Sequence, residues 1–154
     1  EPIITSITFD SQDSRCESKR GNAQWSEDRT DILICTDADA DWTRIEEYAG
    51  CGGADCPAPQ RIATLLLHEI GHAWTAAHLT PARQQALIDH VELTTWNGKS
   101  VAWEQRRVEW AAETLAWGLS EATNRELMLN APDCATLAEG FHILTRTSAL
   151  NTCD

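Results

Sequence analysis

A chain of 154 residues with 42% apolar content is sized for one domain around a single core, here expected to span residues 1–154. Its 24 acidic and 12 basic side chains leave a formal net charge of −12, which excludes nucleic acid and anionic membrane surfaces, because binding either takes a basic patch that releases counterions. No uninterrupted apolar run approaches the roughly 20 residues of a membrane span, so a monomer in water acting on neutral or cationic partners is expected.

In chain order, IITSITF at residues 3–9 alternates apolar and polar positions, as a strand with one buried face does. Residues 11–30, SQDSRCESKRGNAQWSEDRT, are polar and read as a loop. They lead to a second strand, DILICT at 31–36, the expected edge on which an extended peptide adds as a further strand. TRIEEYA at 43–49 predicts a short helix before CGGADCPAP, whose glycines and prolines exclude regular structure. From residue 60 to about 79, Ile62, Leu65, Leu66, Ile70 and Ala73 recur on one helical face. Thr80-Pro81 is a capping hydroxyl followed by proline in the first turn, so a separate helix begins at 82. Ser100 is placed to cap a helix over about 101–119, and Pro132-Asp133 to introduce a last one, CATLAEGFHILTRT. Trp103, Trp110 and Trp117 recur every seven residues, a spacing that predicts helix packing. Two strands followed by helices make an α+β fold, mostly helical with a short N-terminal sheet.

Six cysteines, at positions 16, 35, 51, 56, 134 and 153, form no CxxC pair. Most lie in polar loops where a free thiol would be oxidised, which predicts three disulfides and a secreted, extracellular chain whose export signal has been removed. Proximity pairs Cys51 with Cys56 across the GGAD turn, and Cys134 with Cys153, folding the tail back along the last helix. Cys16 and Cys35 are left to each other, fastening the long polar loop to the second strand.

The helix that starts near residue 60 contains HEIGH, a match to the zinc-peptidase pattern H-E-x-x-H. With 5 His and 13 Glu in the chain, such a match arises by chance on the order of once in a hundred sequences. His68 and His72, one turn apart, project from one face of an apolar helix, where two imidazoles need partners. Zn²⁺ supplies them, with a third protein ligand.

Two candidates compete for that place. His78 completes HEIGHAWTAAH, the metzincin spacing, with Met128 available for that family's methionine turn. Thr75 stands where that motif needs glycine, and a helix continuing to residue 79 turns His78 about 240° away from His72. Further along, VEWAAETLAWGL at 108–119 places Glu109 and Glu113 on one face, beside Ala111 and Ala112, small enough for two helices to approach closely. The flanking Val108, Trp110, Leu115 and Trp117 leave little polar surface for these carboxylates.

HEIGH followed by E-x-x-x-E resembles the gluzincin class of zinc metallopeptidases, whose familiar members are thermolysin-like peptidases with E-x-x-x-D. The resemblance covers roughly residues 60–119, and AAETLAWGL is also similar to segments of small secreted actinobacterial proteins of unassigned function. It implies a zincin-like domain with His68, His72 and Glu109 as zinc ligands, Glu69 as general base and Glu113 as the carboxylate that orients a ligand imidazole. Glu113 replaces the usual aspartate, so the roles of Glu109 and Glu113 could be exchanged. Hydrolysis of a peptide or protein substrate, through a metal-bound water activated by Glu69, is the implied reaction. Such enzymes also use a tyrosine and a histidine as oxyanion donors; no tyrosine follows Tyr48, which leaves His142, then His90 and His78. The alternative is a zinc-stabilised binding or toxin-like module without turnover.

Overall fold

A computed structural model describes residues 4–10, 23–25, 31–34, 58–92, 96, 105–120 and 132–153. Among these residues three strands, β1 (Ser6–Phe9), β2 (Ala23–Trp25) and β3 (Asp31–Ile34), precede four helices, α1 (Ala58–His78), α2 (Pro81–Val91), α3 (Arg107–Gly118) and α4 (Cys134–Thr145). This order is compatible with the α+β class.

The sheet runs β1-β3-β2. β1 is parallel to β3 in the register Ser6 to Asp31 through Phe9 to Ile34, and β2 is antiparallel, Ala23 facing Ile34. Two expectations are corrected here. The stretch read as a loop contains β2, whose three residues are too few for a period to show. DILICT is the central strand and not the edge. Ile32, Leu33 and Ile34 are all fully buried, and a run of consecutive buried residues belongs to a strand covered on both faces. Among the described residues the outer strands are β1, with Ile7 exposed, and β2. The 43–49 helix, Trp103 and the pairings Cys16–Cys35 and Cys51–Cys56 lie outside the described residues.

Local chemistry sets the helix ends. Thr80 Oγ1 accepts from the Arg83 N–H, with Pro81 in the first turn, and Asp133 Oδ1 accepts from the Thr136 N–H at 2.8 Å. α3 begins at Arg107, later than the sequence predicts. Arg106 is extended (ψ 124°), and the Val108 N–H donates to the carbonyl of Trp96 at 3.1 Å, so this backbone is committed to a neighbouring segment.

α1 packs on β2 and β3 with one side and on α3 with another, the most extensive contact between described elements. α3 is buried along nearly its whole length. Its Trp110, Leu115 and Trp117 join Leu87 of α2 and Leu137, Phe141 and Leu144 of α4 in the main core, each large side chain contributing roughly 1.5–3 kcal/mol of transfer free energy. Trp110 and Trp117, one heptad apart, thus serve packing. Gly118 meets the ring of Phe141 directly, so α3 and α4 touch without an intervening side chain.

The C-terminal tail finishes this layer. Cys134 and Cys153 form a disulfide with Cα atoms 5.5 Å apart. It holds a tail in which the Leu150 N–H donates to the Gly118 carbonyl at 2.7 Å and Asn151 Nδ2 to the Trp117 carbonyl at 3.5 Å, satisfying the last carbonyls of α3. Closing a loop of 19 residues stabilises by about 3 kcal/mol. Cys134→Ser combined with Cys153→Ser is therefore expected to lower unfolding free energy by about that amount in urea titrations; an unchanged midpoint would mean the tail holds without it. Among the described residues no helix is long and apolar enough to cross a membrane.

Candidate metal centre

α1 brings His68 and His72 to its contact with α3, which answers with Glu109 and Glu113. The helices can come together there because Gly71, between the two histidines, lies against Ala112, between the two glutamates. A Cβ on Gly71 would sit 2.7 Å from the carbonyl oxygen of Ala112 and 2.8 Å from its Cα. The small residues Ala111 and Ala112 are legible in the sequence as a close-approach signal; Gly71 was concealed as a variable position of the motif.

At the centre three atoms converge. His68 Nε2 lies 3.1 Å from Glu109 Oε2, His72 Nε2 lies 3.1 Å from the same oxygen, and the two Nε2 atoms are 2.9 Å apart. The imidazoles meet edge to face with centroids 4.5 Å apart. On the other side of its ring, His68 Nδ1 donates to Glu113 Oε1 at 2.7 Å. A neutral His68 with its proton on Nδ1 presents a bare lone pair at Nε2. Glu113 thus fixes the tautomer while Glu109 shares the convergence point, which distinguishes the roles that the sequence left exchangeable.

The donor set fits zinc. A tetrahedral ion at about 2.0–2.1 Å from N and O ligands separates its ligand atoms by about 3.3 Å; the three edges here, 2.9 to 3.1 Å, are slightly contracted from that. Without an ion, two imidazole lone pairs face each other at 2.9 Å and require a proton between or beside them. Burial would push His68 down, but hydrogen bonds to Glu109 and Glu113, aided by the charges of Glu113 and Glu69, outweigh it and raise His68 to about 9. Burial would raise Glu109, yet the hydrogen bonds from His68 and His72 bring it to about 2. Charged in this way, His68 and Glu109 would pair around the proton on His68 Nε2, and a divalent cation held by the same atoms would displace that trapped proton.

Glu69, 7% exposed, is buried next to this group and close enough for its charge to act on His68. His78 stands apart. α1 continues unbroken through Thr75, whose hydroxyl donates to the His72 carbonyl at 2.8 Å, and ends with His78 exposed, its ring 5.3 Å from that of Trp74. Among the described residues His68, His72 and Glu109 are the group able to hold a metal. His78→Ala is thus expected to leave zinc content unchanged and Glu109→Ala to lower it at least tenfold at limiting zinc, by elemental analysis of dialysed protein. The opposite pattern would install His78.

The remaining histidines go elsewhere. His90 Nε2 bonds the Thr136 carbonyl at 2.9 Å, tying α2 to α4. His142 is exposed on α4, its Nδ1 3.4 Å from the Thr147 carbonyl, and it lines a cleft between α4 and the tail that shares no wall with the metal ligands. The structure does not bring the expected catalytic His142 to the centre: a histidine 23 residues past the end of the second motif carries no positional signal, and it stands on the exposed face of α4. A separate cavity of about 200 Å³ reaches His72, lined also by Thr75, Ala76, Leu79, Gln84, Trp96 and Val108. Nothing in the sequence singled out Gln84 or Trp96.

Compared with protein-family models, curated proteins and solved structures, the chain matches none.

Proposed function

We propose that the protein is a secreted zinc-dependent peptidase of zincin-like, gluzincin type. The observation that carries this reading is the convergence of His68 Nε2, His72 Nε2 and Glu109 Oε2 to within 3.1 Å of one another, with Glu69 buried alongside. His68, His72 and Glu109 would hold the ion, and Glu113 would keep the His68 tautomer that ligation needs. Zinc bound there supplies Lewis acidity and draws the pKa of water toward about 7. Glu69 accepts the proton of the attacking water on its carboxylate and returns it to the leaving amine, so that one group serves both steps of peptide hydrolysis. The Cys134–Cys153 disulfide supports an oxidising, extracellular setting.

Glu69→Gln keeps the shape and removes the base. It is expected to retain zinc and to lose hydrolysis of a mixed peptide library by about a thousandfold or more. Equal activity in the variant would end this assignment of Glu69. The placement of His142 away from the centre favours a second reading, a zinc-stabilised binding module without turnover; zinc-loaded wild type that cleaves no peptide in the library would establish that reading instead.

A further inference from the structure

We infer, resting on the peptidase reading, that the cavity reaching His72 is the pocket that selects a substrate side chain. Gln84 is the residue that reads its occupant, favouring a bulky uncharged side chain with a hydrogen-bonding tip, tyrosine above all. The cavity shares His72 with the metal group, so whatever fills it lies beside the reacting centre. Its frame is set by the same helices. Ala76 lies in the last turns of α1, after the ligands, and Leu79 directly follows that helix; Val108 directly precedes Glu109, and Trp96 is tied to that second helix by the Val108 N–H at 3.1 Å.

Size and charge narrow the occupant. An apolar cavity of about 150 Å³ admits benzene, and the 200 Å³ here takes a phenol ring with its hydroxyl. Among the described residues no Asp, Glu, Lys or Arg lines the cavity, so an ammonium or carboxylate entering it would be desolvated without an ionic partner from them. Besides His72, which belongs to the metal group, and the donor-only indole of Trp96, two polar side chains line it. The Thr75 hydroxyl is committed as a donor to the His72 carbonyl. The Gln84 carboxamide makes no hydrogen bond among the described residues, whereas the neighbouring Gln85 is bonded to Asp89 at 2.8 Å. A carboxamide offers both a donor and an acceptor to a phenol hydroxyl, and a pocket built to bond a hydroxyl rejects the analogue lacking it more strongly than a purely apolar one could.

Amino-acid hydroxamates test this without requiring turnover, because their chelating end binds zinc while the side chain samples the cavity. Calorimetry on zinc-loaded full-length protein would compare the hydroxamates of glycine, phenylalanine, tyrosine and aspartate. The expected order is tyrosine tightest, about tenfold over phenylalanine, with glycine and aspartate weaker again. Gln84→Leu should bring tyrosine down to phenylalanine at unchanged zinc content, and Ala76→Trp, which fills the cavity from α1, should bring both aromatic compounds down to glycine. Equal binding of all four compounds to zinc-loaded wild type, or a tyrosine preference that survives Gln84→Leu, would overturn the inference and leave the metal centre standing. Failure to load zinc at all would overturn the peptidase reading, and this inference with it.

Discussion

Gly71→Ala is expected to destabilise the fold by about 3 kcal/mol and to strip the protein of zinc, although residue 71 is not a ligand. The added Cβ would stand 2.7 and 2.8 Å from the carbonyl oxygen and Cα of Ala112, where ordinary contact begins near 3.4 Å. Neither atom belongs to a side chain that can swing aside, so α1 and α3 must separate by about 0.7 Å. That contact lies between His68 and His72 on one helix and between Glu109 and Glu113 on the other, so the separation opens the ligand group directly. Metal–ligand distances tolerate about 0.2 Å, and zinc affinity should fall at least a hundredfold. The measurement is zinc titration with a competing chelator, alongside urea unfolding of the metal-free form. Because the clash is with backbone, Ala112→Gly should not rescue the variant; rescue would show that the contact had been attributed to the wrong atoms. Gly118→Ala, which strikes the Phe141 ring at the α3–α4 contact, should cost stability with far less effect on zinc.

The same pair of residues shows what the sequence could and could not reveal. His68, Glu69, His72, Glu109 and Glu113 announce themselves because ligand chemistry demands specific residue types at helical spacing, and in the structure they meet. Helix starts at Pro81 and after Asp133 were legible for a similar reason, since capping is local. Strand order was not. β3 is central because β2 pairs with its far side, a tertiary choice that three residues, Ala23–Trp25, cannot encode in a period. The start of α3 was displaced by a backbone bond from Val108 to Trp96, a residue twelve positions earlier. His142 was chosen by elimination among histidines, which is an argument from residue supply and not from geometry. Gln84 became visible only through what surrounds it.

Removing zinc is expected to make stability fall with rising pH over an interval where the loaded protein holds level. In the metal-free protein His68 is raised from 6.5 to about 9. A raised folded-state value stabilises fully below the unfolded value and is lost as pH climbs through the folded one, so this contribution is complete below pH 6.5 and gone above about 9. Glu109, lowered from 4.5 to about 2, contributes fully above 4.5 and loses its effect as pH falls through about 2. Both describe one ion pair, whose full strength occupies the window from pH 4.5 to 6.5. The metal-free fold should therefore weaken between pH 6.5 and 9. Zinc requires a bare Nε2 on His68 and must expel the trapped proton, so across that same interval its affinity rises about tenfold per pH unit, adding about 1.4 kcal/mol per unit to the difference between loaded and free protein. Thermal melts of the loaded form at a fixed zinc excess and of the metal-free form under chelator, taken at intervals from pH 6 to 9, would display this as diverging curves. Parallel curves would show that no proton leaves His68 when the metal binds, and would remove the imidazole of His68 from the ligand set.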